Sequence, residues 1–128
     1  MGDRANVVIQ NGEDPDLYLY THWNGDHLPS VLQRALRRGE SRWDEDHYLA
    51  RIIFCSMVEG DMDGLTGFGI GTCRGDYNHP DLVVNTRDQA VTVRQIENSR
   101  VLFETSIEGY CALDEVSWDL LLQGKTGD

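Results

Sequence analysis

Hydrophobic and polar positions fall into short blocks whose period changes along the chain. Val7-Val8-Ile9-Gln10 and Leu17-Tyr18-Leu19-Tyr20-Thr21 are strand-like runs, and the turn-rich Asn11-Gly12-Glu13-Asp14-Pro15-Asp16 separates them. The pair predicts an N-terminal hairpin with a longer loop. Leu28, Val31, Leu32, Ala35 and Leu36 then recur at helical spacing as one apolar stripe. Pro29 suits a first turn, Arg34, Arg37 and Arg38 favour the negative end of the dipole, and Gly39 closes the segment. A helix is therefore predicted from about 28 to 38. A second follows, with acidic capping chemistry at Asp44-Glu45-Asp46 and an inner face of Tyr48, Leu49, Ile52, Ile53, Ser56 and Met57, stopped by Gly60. The short link sets the two helices side by side on one side of a sheet.

Beyond Gly60 the pattern returns to strands and turns. Strands are predicted in Thr66 to Cys73, at Leu82-Val83-Val84, at Ala90-Val91-Thr92-Val93 and at Val101 to Thr105, with a hairpin loop at Asn85 to Gln89. Trp118, Leu120, Leu121 and Leu122 predict a last short helix, and residues 124–128 read as a frayed tail. The expected class is α+β: an antiparallel sheet of about five or six strands, two adjacent helices on one face and a short C-terminal helix. With 128 residues and no repeat or linker, residues 1–128 read as one domain.

Composition narrows the setting. Forty per cent hydrophobic residues suffice for one core without disulfides or a structural metal. Cys55, Cys73 and Cys111 form no CxxC pair, so reduced thiols are expected, with Cys55 as a small core residue. Residues 1–6 lack the basic and apolar regions of a signal peptide, and no apolar run approaches the roughly 20 residues that span a bilayer. A cytoplasmic protein without a membrane partner is expected. The net charge of −11 argues against direct nucleic-acid binding, which needs a basic face. It leaves room for a small anionic ligand in a local basic pocket, or for an acidic protein seated in another enzyme's basic groove.

Candidate chemistry concentrates in Thr21-His22-Trp23-Asn24-Gly25-Asp26-His27, at a strand-to-helix junction. The plain reading is a capping turn. His22, Asp26 and His27 match no zinc spacing, and no metal or cofactor is expected. Gly67-Phe68-Gly69-Ile70-Gly71 lacks the third glycine spacing of a dinucleotide loop, and its alternation predicts close helix packing. Glu59 to Gly64 lacks the ligand series of a calcium loop and reads as a turn. Arg74 to Pro80 is a polar loop in which Asp76 and His79 are candidates for an active site. No nucleophile elbow, phosphate loop or zinc-protease helix is present, so the chain reads as a binding protein more than an enzyme.

One constellation carries more. His22-Trp23-Asn24 opens the first helix and Arg42-Trp43-Asp44 the second, which places both openings on one expected rim, with Arg51 pointing inward. His22, Trp23, Asn24, Arg42, Trp43 and Arg51 form a candidate site for a flat anionic ligand such as a nucleotide, held by stacking and charge-assisted bonds. The plainer alternative is an Arg51–Asp salt bridge and two core indoles.

The run Leu19 to Gly25, Leu28-Pro29, Ala35-Leu36, Arg42-Trp43-Asp44, Tyr48 to Phe54, Thr66 to Ile70 and Leu82-Val83-Val84 resembles a family of uncharacterised small proteins carried by bacteriophages, prophages and some bacteria. The likeness covers roughly residues 5 to 95. It implies a setting, that of a phage accessory protein, and carries no residue role. Such a protein is expected to sequester a small anionic, nucleotide-like ligand. The alternatives are an acidic inhibitor of a host nucleic-acid enzyme and a small hydrolase using His22 or His79 as base. Homo-oligomerisation is compatible with all three.

Overall fold

The computed structural model describes residues 2–123, so the expected frayed tail at 124–128 lies outside the described residues. The hairpin forms as β1, Ala5–Gln10, and β2, Leu17–Thr21, paired antiparallel with Val7 opposite Leu19. A 3-10 turn at Gly25–His27 leads into α1, Leu28–Arg38, and a second at Glu40–Arg42 leads into α2, Asp46–Met57. The strands β3, Phe68–Gly71, β4, Asp81–Asn85, β5, Ala90–Arg94, and β6, Val101–Ser106, complete a six-stranded sheet of order β3-β2-β1-β4-β5-β6. Two short helices follow, α3 at Ile107–Cys111 and α4 at Trp118–Leu122.

The fold is α+β, and the expected antiparallel sheet needs one correction: β1 and β4 run parallel, Val7 beside Leu82. The cause is the path of the chain. β3 returns to the edge beside β2, and residues 72–80 then cross β2 and β1 diagonally to start β4 in the direction of β1. The crossing segment is fastened to the face it covers. Asn6, fully buried, donates its side-chain amide to the carbonyls of Gly75 and Asp76 and accepts from the Gly75 N–H. Arg74 donates to buried Asp81 at 2.8–3.2 Å and lies over the Tyr18 ring. A carboxylate removed from water in this way requires such a partner.

The helices α1 to α4 sit on the other face. Val7, Ile9, Leu19, Leu82, Val84, Val91 and Val93 point toward Leu32, Leu36, Leu49, Ile53, Ile107, Tyr110 and Leu121 in one core. The amphipathic stripe of α1 is buried as its spacing predicts. In α2 the inner face is rotated from expectation: Ala50 is buried, Tyr48 is exposed and Ile52 is half-buried. Cys55 is likewise half-buried rather than a core residue. The α3 turn, absent from the sequence reading, is capped by Ser106, whose hydroxyl accepts from the Gly109 N–H. Gln33 and Tyr110 tie it to α1, the Tyr110 hydroxyl donating to the Pro29 carbonyl at 2.7 Å.

The alternating glycines do not mark helix packing. Gly69 and Gly71 pair with Tyr20 and Tyr18, whose side chains face away from the helices, and an added Cβ there would have room. Gly67 is the constrained one. Its φ of +100° lies in the left-handed region, and a Cβ would press on the Trp23 indole at 3.0 Å.

Candidate functional site

The two ends of the sheet carry different chemistry. At the end of the β1–β2 loop, the N-terminal half of α2 crosses the edge strands, and Ala50 fills little of the space between them. A cavity of about 460 Å³ results, walled by Ile9, Leu17, Leu19, Ala50, Phe54 and Ile70. That volume falls in the range of small-molecule pockets. The rim is polar. Asn11 bridges two carboxylates, donating to Asp14 at 2.9 Å and Asp46 at 2.7 Å. Arg51 stands on the same rim, exposed rather than pointing inward, and among the described residues its one polar contact is the Cys55 sulfur at 3.9 Å. Among the described residues it has no salt-bridge partner, so the Arg51–Asp pair weighed from the sequence does not form.

Of the six residues expected to line a common site, Arg51 alone reaches this cavity. The 11-residue α1 separates the two helix openings by about 16 Å, so they share no rim. His22, Trp23 and Asn24 lie at the far end: Tyr20 and His22 are hydrogen-bonded at 2.7 Å, the Trp23 ring meets His22 edge-on at 4.3 Å, and the Asn24 N–H donates to Thr21. Arg42 is committed to Glu45 and the Tyr48 ring. Trp43 donates its indole N–H to the Leu36 carbonyl and accepts from Gln89 through its own carbonyl. These are structural contacts, close to the plainer reading of the two indoles, although Trp23 is exposed rather than a core residue.

The far end holds a group dispersed in sequence. His79, from the crossing segment, donates through Nε2 to Asp3 Oδ1 at 2.7 Å, and the Asp26 N–H donates to Asp3 Oδ2 at 2.9 Å. Partial burial alone raises the Asp3 carboxyl. Hydrogen bonds from His79 and the Asp26 amide, with the charges of His79 and His27, outweigh it and hold the carboxyl below its ordinary value. A shallow hollow of about 320 Å³ opens beside His79, bordered by Tyr77, Gln95 and Glu97. Among the described residues, no thiol or hydroxyl group hydrogen-bonds to this pair. Burial pushes the Cys111 thiol up and away from reactivity.

The Asp3–His79 pairing was hidden by 76 residues of separation. The only sequence signal was the polarity of the His79 loop. The cavity left no linear signal beyond the small Ala50 in an otherwise bulky helix face. No helix among the described residues is long and apolar enough to cross a membrane. Compared with protein-family models, curated proteins and solved structures, the chain matches none.

Proposed function

We propose that this protein binds a small molecule with an apolar body and a single negative charge, taken up in the cavity between α2 and the edge strands. The observation that carries the reading is the pairing of a 460 Å³ apolar cavity with an arginine on its rim that has no carboxylate partner among the described residues. Burying the ligand body against Leu17, Leu19, Phe54 and Ile70 supplies affinity, at about 25 cal/mol per Å² of apolar surface. Arg51 supplies orientation through a charge-assisted bond.

The rim also restricts the charge. Asp14 and Asp46 share it with Arg51, and two fixed carboxylates repel a polyanion. Of the small anionic, nucleotide-like ligand expected from the sequence, this reading keeps the small anion and replaces the nucleotide with a monoanion such as a medium-chain or aryl carboxylate. Neither Trp23 nor Trp43 lines the cavity to stack a base. In the setting implied by the resemblance to phage-borne proteins, binding without turnover amounts to sequestration.

A thermal-shift panel of medium-chain carboxylates, aryl carboxylates, nucleoside monophosphates and nucleoside triphosphates tests this. A ligand at 100 times its dissociation constant adds about 2.7 kcal/mol, a shift of a few degrees. Shifts confined to the monoanionic amphiphiles, and lost in Arg51→Ala, support the reading. A shift with triphosphates that survives in Arg51→Ala overturns it.

The Asp3–His79 contact favours a second reading, the hydrolytic one, narrowed to His79 because His22 is engaged by Tyr20. Its test is turnover of activated esters, which must vanish in His79→Gln if His79 is the base.

A further inference from the structure

We propose that Asp3, Asp26 and His79 form a binding site for a first-row divalent transition-metal ion. One ligand atom from each lies within 4.8 Å of the other two. Metal–ligand bonds of 2.0–2.2 Å need donors roughly 3–3.5 Å apart. His79 Nε2 and Asp3 Oδ1, at 2.7 Å, are already inside that spacing; the metal takes the place of the proton between them, which is released to solvent, and the pair relaxes slightly. The Asp26 side chain is exposed and accepts no hydrogen bond from the described residues, so one rotation closes the triangle.

The frame around the three donors distinguishes them from a chance meeting of surface acids. The His79 ring lies parallel to the Trp118 indole, 3° apart with centroids at 4.9 Å, which fixes the direction of its nitrogens. Trp118 is buried and donates its indole N–H to the Gly25 carbonyl at 2.7 Å, while the Gly25 N–H donates to the Asp3 carbonyl at 2.7 Å. Gly25 is required there, since a Cβ would stand 2.5 Å from the Asp3 carbonyl oxygen and 2.9 Å from the His79 ring. Outer contacts of this kind orient metal ligands and raise affinity. Asp3, Asp26 and His79 thus come from three distant parts of the chain and meet on a rigid support.

The donor set names the ion class. One imidazole with two carboxylates suits zinc, manganese, iron or cobalt, whereas magnesium and calcium prefer all-oxygen shells. Three protein donors leave coordination positions for water or a further ligand.

The test is titration of cobalt(II) into the full chain, followed by visible absorption and calorimetry, with magnesium as the comparison ion. The expected result is one equivalent bound with a nitrogen- and oxygen-ligand spectrum, unchanged in Cys73→Ser and His47→Gln. Affinity should fall at least about tenfold in Asp26→Asn, whose exposed side chain leaves the metal-free thermal midpoint unaltered. His79→Gln should abolish binding, and Asp26→Asn decides the matter if that variant fails to fold. Three results overturn the proposal: no saturable binding, equal affinity in Asp26→Asn, or a thiolate-to-cobalt band that disappears in Cys73→Ser. Arg51→Ala should bind cobalt normally, which keeps this site separable from the cavity.

Discussion

At the β1–β2 loop end of the sheet, α2 stands off from the edge strands and leaves apolar walls uncovered around Ala50. At the opposite end, Gly25, Asp3, His79 and Trp118 are pressed together so closely that a single methyl group has nowhere to go. The first end has apolar walls around an open volume and one arginine without a carboxylate partner among the described residues. The second is filled, polar and cross-linked by hydrogen bonds from four parts of the chain, which is how side chains are aimed at one point. On the two proposals, affinity through burial falls to the first end and geometry through preorganisation to the second.

The largest expected effect breaks the rigid end. Trp118→Ala removes a buried indole, its stacking on His79 and its bond to Gly25, and should cost about 3–5 kcal/mol in denaturant unfolding. Adding carbon sharpens the contrast, because the two ends should answer with opposite signs. Gly25→Ala should destabilise by about 1–3 kcal/mol through overpacking against Asp3 and His79. Ala50→Leu, projecting into the cavity, should stabilise by about 0.5–2 kcal/mol while weakening ligand binding. Equal signs in these two variants would dissolve the distinction.

Smaller effects follow from the charges. Arg51→Ala should leave stability within about 0.5 kcal/mol, since the side chain is exposed, yet lower ligand affinity about tenfold or more. The Asp3 carboxyl has a folded pKa depressed below its ordinary value of 3.8. Its stabilisation is therefore present above that value and lost as pH falls through the lower folded pKa. Asp3 is more than one-third exposed, so solvent screening limits the effect to less than about 1 kcal/mol. Asp3→Asn should flatten the acid limb of a stability–pH profile below about pH 4 by that amount.

How much of this was legible in the sequence differs between the ends. The strands and α1 were readable because their residues alternate or recur at one period over many positions, and a period survives tertiary packing. The orientation of α2 was less so: Tyr48 and Ile52 fit an apolar stripe, but the sheet meets the helix around Ala50 and Ile53 instead. The short α3 escaped because Gly109 interrupts a five-residue helix whose one strong signal is the Ser106 cap. The cavity is a product of that α2 rotation, so no linear pattern encodes it. The assumed rim of His22, Trp23, Arg42 and Trp43 failed for a related reason. Two adjacent antiparallel helices begin at opposite ends of the bundle. The Asp3–His79 contact depends on the diagonal path of residues 72–80, and that path depends on the parallel β1–β4 ladder.

We propose that the cavity beside Arg51 takes a monoanionic amphiphile. Calorimetric titration of dodecanoate into the full chain, Arg51→Ala and Ala50→Phe tests it most directly, with Trp23→Ala as the control. One saturable site is expected in the parent and in Trp23→Ala, with binding about tenfold weaker in Arg51→Ala and none in a folded Ala50→Phe. Equal binding in the parent and in Ala50→Phe would place the ligand elsewhere and contradict the claim.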